Sequence, residues 1–140
     1  MILNEYVGPP HYQFGERALE IVEEICAALP RRLLTHRPSG LQKRLHVPPP
    51  LAHFRAGAPF DGASSHAALR AIESRFDLVD RRDYGGTILN PLLEGIIGNF
   101  RENEEDDSAM LRLLALLERL LMESGSLTSD FSVLVARARG

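Results

Sequence analysis

The chain predicts a layered α/β domain, and three features of its sequence carry that prediction. Helical stripes separate every pair of strand-like segments, which argues against hairpins. The closing segment DFSVLVARAR alternates Phe131, Val133 and Val135 with Ser132, Leu134 and Ala136, so neither face is strongly polar, as in a strand with helices on both sides of its sheet. A length of 140 residues fits one domain that buries a core without staples.

In chain order, Ile2 to Val7 is short, apolar at its start and closed by Gly8-Pro9-Pro10, which reads as a strand running into a loop. Ala18, Ile21, Val22, Ile25 and Leu29 fall on one helical stripe, with Glu16, Glu20, Glu23 and Glu24 away from it, and Pro30 ends that helix. Residues 36–62 are dense in proline and glycine without a sustained period and predict an irregular, lid-like excursion. A helix starts at Ser64 or Ser65 and carries Ala68, Leu69, Ile72 and Phe76, the last of which also fits the strand that follows.

FDLVDRRDYGG reads as a charged strand stopped by its glycine pair, with Asp80 to Asp83 a salt-bridged, partly solvated stretch. Asn90-Pro91 has the chemistry of a helix start, carrying Leu92, Leu93, Ile96, Ile97 and Phe100. The acidic run Glu102 to Asp107 reads as a solvated turn ahead of a long helix beginning near Ser108. Met110, Leu111, Leu113, Leu114, Leu116, Leu117, Leu120 and Leu121 cover more of that helix than one core contact needs, so it requires cover on more than one side. Gly125 stops it before the final strand.

Composition narrows the function classes. A net charge of −3 gives no broad basic face for tracking phosphates, which argues against nucleic acid. The single cysteine, Cys26, sits among apolar helix positions and reads as a buried thiol. No stretch reaches the roughly 20 apolar residues that span a bilayer, and the expected location is cytoplasmic. His36, His46, His53 and His66 lack the spacing that puts two imidazoles on one helix face or in one tight loop, and read as surface or loop histidines rather than metal ligands.

NEYVGPPHYQF, LEIVEEICAALPRRL, FDLVDRRDYGGTILNPLLEGIIGNF and LLALLERLLMESGSLTSDFSVLVARAR together resemble the C-terminal half of bacterial class I S-adenosylmethionine-dependent methyltransferases. The resemblance covers residues 1–140 apart from the proline-rich excursion. It implies an incomplete Rossmann-like sheet of about three strands, equivalent to the fifth, sixth and seventh of the family, with the last strand antiparallel between the other two. The family holds S-adenosylmethionine with a glycine-rich turn after its first strand and an acid after its second. Neither motif stands in these residues, which predicts little or no donor binding by this chain alone.

Ligands in open α/β sheets collect beyond the carboxyl ends of the parallel strands. That rule makes Glu5, Tyr6, His11, Tyr12, Gln13 and Phe14 the acceptor-side candidates, with Glu5 orienting an acceptor, His11 a possible base and the aromatic rings walls. The plainer reading of Glu5 and Tyr6 is an edge pair facing solvent or an arginine. Two functions follow: an acceptor-side half that works with a donor-binding half, or a dimerisation or interaction module derived from the fold. Both predict association, because the opening strand lacks its parallel neighbour and the leucine-rich helix needs cover.

Overall fold

The last strand of the chain is the middle strand of its sheet. The computed structural model describes residues 1–46, 50–52, 56 and 65–139, with side chains in the last stretch from residue 69. Among these residues β1 (Ile2–Tyr6), β2 (Phe76–Gly85) and β3 (Phe131–Ala138) form a sheet in the order β1-β3-β2. Both pairings are antiparallel, so β1 and β2 run the same way. Tyr6 and Gly85, at the carboxyl ends of the outer strands, both stand opposite Phe131. Ser132, Leu134 and Ala136 are buried, and Phe131, Val133 and Val135 on the alternate face are half-buried.

Among the helices of the described residues are α1 (Glu16–Ala28), α2 (Ser65–Arg75), α3 (Leu89–Leu93) and α4 (Glu105–Glu123). No described helix is long and apolar enough to cross a membrane. The expected stripe of α1 is observed, with Ala18, Ile21, Val22 and Leu29 buried and Ile25 half-buried. It packs with Leu33, Leu34, Ile88, Leu92, Ile96 and Leu114 into the core, where Cys26 is also enclosed. Burial pushes the Cys26 thiol above its ordinary value. Arg81 pairs with Asp83 and Arg82 with Asp80, each at 2.9 Å, as the charged strand predicts. The predicted N-cap at Ser64 lies outside the described residues, as does much of the excursion.

Three local expectations are corrected. The segment after β2 forms only the short α3, because Gly95 takes a positive φ of 71° and the chain turns there before a single 3-10 turn at Ile97–Asn99. Asn90 does not cap α3. The carboxylate of Glu118, on α4, accepts the N–H groups of Gly86 (3.0 Å), Ile88 (2.7 Å) and Leu89 (3.0 Å) instead. The long helix starts at Glu105, which places Asp107 in its first turn, buried rather than solvated. Asp107 accepts from the Arg101 N–H at 3.0 Å and grips the Arg32 guanidinium with both oxygens. That guanidinium, with the Arg101 N–H, holds the Asp107 carboxyl below the usual range.

Glycine is required at 85 and 86. Their φ angles are +106° and +88°. A Cβ on Gly85 would stand 2.1 Å from Glu118 Oε2, and one on Gly86 2.3 Å from Phe131 Cδ2. At the far end of α4, Gly125 (φ +75°) closes the helix with its own N–H on Met122 and the Ser126 N–H on Leu121. We expect Gly85→Ala to destabilise the chain by about 2 kcal/mol or more, since it combines positive φ with a clash. Glu118→Gln should cost about 2 kcal/mol, because one amide oxygen replaces a carboxylate serving three donors. Urea unfolding midpoints measure both, and an unchanged midpoint in either variant would contradict this account.

Candidate functional site

Beyond the carboxyl ends of β1 and β2 lies a cavity of about 360 Å³. Its aromatic lining is Tyr12, Phe14 and Phe131, each delivered by a different local cause. Tyr12 ends a 3-10 turn, Pro10–Tyr12, in which His11 and Tyr12 both take positive φ (55° and 54°). Phe14 follows directly and is buried. Phe131 opens β3, and because β3 is reversed its first residue meets the last residues of both outer strands. The rest of the lining is Asn90, Pro91 and Glu94 from α3 and its C-terminus, with His46 from the excursion.

A second aromatic layer stands behind this wall. The Tyr6 ring lies 4.4 Å from Tyr12 and meets Phe131 edge-on at 5.3 Å. Its hydroxyl donates to the Pro9 carbonyl at 2.6 Å. The buried Asp130 sits beside it, with its backbone carbonyl accepting the N–H groups of Val7 (2.7 Å) and Gly8 (3.2 Å). A Cβ on Gly8 would lie 2.5 Å from Asp130 Cγ and 2.8 Å from the Tyr6 hydroxyl, so glycine here permits the close approach. Burial is the main reason the Asp130 carboxyl is pushed up to about 6, with the Glu118 charge adding to it and a Thr87 hydrogen bond opposing it. Burial and the Asp130 charge likewise push the Tyr6 hydroxyl up.

The polar wall is tied together by its own network. His46 is buried against Phe14, ring centroids 5.2 Å apart and nearly perpendicular, and its Nδ1 lies 2.9 Å from Glu94 Oε2. Burial dominates the imidazole's titration and, with the Lys43 charge, holds it below its ordinary value despite the Glu94 carboxylate. A neutral ring at neutral pH then donates its Nδ1–H to Glu94. Lys43 is also buried, donating to the carbonyls of Pro91 (2.7 Å) and Glu94 (2.6 Å) at the end of α3, where a cation satisfies the last carbonyls. These bonds fix the start of the excursion against the segment that carries Asn90 and Glu94.

Of the six residues predicted for the acceptor side, Tyr12 and Phe14 line the cavity and Tyr6 stacks behind them. Glu5 is half-buried on β1 opposite Ser132, and is not among the lining residues. His11 and Gln13 are half-buried outside the lining, joined by a bond from Gln13 Nε2 to the His11 carbonyl at 3.2 Å. The reading of His46 as a surface or loop histidine holds for the loop and fails for the surface. His53 and the His66 side chain lie outside the described residues. Phe131 was derivable in principle, since a reversed central strand must start beside the ends of its neighbours.

Among the described residues, the backbone N–H groups that follow the two outer strands are already engaged. After β1, Pro9 and Pro10 have no N–H, and the Val7 and Gly8 N–H groups are given to Asp130. After β2, Gly85 donates to Ser129 Oγ at 2.8 Å, while Gly86, Ile88 and Leu89 donate to Glu118. Among the described residues no group of three His, Cys, Asp or Glu side chains is placed to hold a metal ion.

The raised Asp130 carboxyl has a signed consequence. The native chain binds this proton more tightly than the unfolded chain, so its penalty is absent near pH 4, grows as pH rises and is complete above about 6. Asp130→Asn should therefore gain on the parent by roughly 2 kcal/mol between pH 4 and 7. Parallel stability curves for the two proteins over that range would remove the assignment. No protein-family model, no curated protein and no solved structure matches the chain.

Proposed function

We propose that this chain supplies the acceptor-side half of a class I S-adenosylmethionine-dependent methyltransferase and acts with a donor-binding half. The observation that carries the reading is the reversed β3 between two strands that run the same way, with an aromatic-walled cavity beyond their carboxyl ends. This agrees with the order expected for the fifth, seventh and sixth strands of an incomplete Rossmann-like sheet. Methyl transfer depends mainly on holding the acceptor atom in line with the donor. Tyr12, Phe14 and Phe131 would restrict a flat or apolar acceptor, and Asn90 and Glu94 would orient its polar end. S-adenosylmethionine would be held by the other half.

A second reading, a dimerisation or interaction module, is favoured by one specific feature. Along α4, Leu113 and Leu120 remain 59% and 49% exposed, with Leu116 and Leu117 exposed between them. A second copy of the chain would cover such a stripe.

Calorimetric titration with S-adenosylmethionine, beside light scattering, separates the readings. The chain alone should show no saturable micromolar binding, and the chain fused behind the donor-binding half of a class I methyltransferase should show it. Tight binding by the chain alone would overturn the half-site division. A folded fusion that binds no donor would overturn the methyltransferase reading and leave the module, whose signature is a dimeric mass.

A further inference from the structure

The cavity wall combines two kinds of surface that select one kind of ligand. Tyr12, Phe14 and Phe131 present π systems, whose faces attract cations. Among the described residues Glu94 is the single carboxylate of the lining, and no lysine or arginine joins it there. Lys43 is not among the lining residues, and its ammonium is bonded to the Pro91 and Glu94 carbonyls. His46 adds no compensating charge, because a neutral ring donates to Glu94. Among the described lining residues a carboxylate thus stands beside aromatic rings, with the Asn90 amide oxygen as a further acceptor.

We infer that the cavity formed by Tyr12, Phe14, Phe131, Asn90 and Glu94 takes a protonated amine carried on an apolar ring or chain. The ammonium belongs at the Glu94 side, with its apolar body against the rings. The inference rests on the reading of this cavity as the acceptor side, and names an amine as the acceptor class. Anions are disfavoured by the Glu94 charge, and neutral alcohols of the same shape lack both the ion pair and the cation–π attraction.

The probes are benzylamine, benzyl alcohol and benzoate, titrated calorimetrically into the intact chain at neutral pH without any methyl donor. Benzylammonium should bind about tenfold more tightly than benzyl alcohol, and benzoate should give no saturable signal. Glu94→Gln should bring benzylammonium to the level of the alcohol. Tyr12→Leu removes one ring of the wall and should weaken both ligands in a variant whose cooperative unfolding shows that it is folded, which keeps a test in hand should the Glu94 variant fold poorly. Equal affinity for the three probes, no saturable binding of any, or an ammonium preference that survives Glu94→Gln would each overturn the inference. The fusion separates this result from the broader reading: amine preference without donor binding by the fusion sinks the methyltransferase alone, and donor binding without amine preference sinks the amine alone.

Discussion

One carboxylate organises the end of the molecule where the cavity lies. Glu118 is buried in the middle of α4 and receives three backbone N–H groups from the turn that follows β2. A buried carboxylate without partners would be costly, and a turn with three orphaned donors would be too. Each removes the other's penalty, and together they fix where α3 begins. The glycine pair is the condition for this meeting, because side chains at 85 and 86 would occupy the space taken by the Glu118 carboxylate and the Phe131 ring. A short motif in the sequence is thus the imprint of a contact with a residue about thirty positions further on.

The rest of the site follows from that anchor through packing. With α3 placed, Lys43 can satisfy its last carbonyls, and His46 can reach Glu94. With Gly86 pressed on Phe131, the ring stands between the ends of β1 and β2, where Tyr6 and Tyr84 approach it at 5.3 and 6.0 Å. Asp130 meanwhile ties the end of β1 to the start of β3 through its carbonyl. The raised titration of its side chain is a cost of that enclosure: the carboxyl is carried inward by a backbone position that the strand pairing requires.

Much of the fold was legible because it is written in periodicity. The stripe of α1, the charged β2 and the alternating β3 are local patterns, and each element appears where its pattern stands. Apart from the turn at Gly95 that shortens α3, what escaped is of one kind: polar residues whose partners are distant. Glu118 lies between Leu117 and Arg119 on a helix and looks like a solvated charge, while its partners are backbone groups that carry no sequence signature. Asp107 closes an acidic run that is otherwise exposed, and it is distinguished by the Arg101 N–H and by Arg32, seventy-five residues away. Asn90-Pro91 has good capping chemistry and yields to a stronger acceptor arriving from α4. Within the site, Tyr12 and Phe14 were readable from the strand-end rule, whereas His46 and Glu94 depend on how the excursion folds back.

The uncovered apolar surfaces bear on association. In the order β1-β3-β2, β1 has a neighbour on one side only among the described residues, and Ile2 on it is 75% exposed. The leucine stripe belongs to α4, which is fastened through Glu118 to the end of β2, the opposite edge. Two interstrand spacings, about 10 Å, separate those edges. A strand added beside β1 satisfies backbone groups along one edge and leaves α4 uncovered. A helix laid on α4 does the reverse. The two surfaces are therefore distinct, and covering one does not cover the other. Association through one surface alone would leave the other exposed to water, where a contiguous apolar patch favours a further partner.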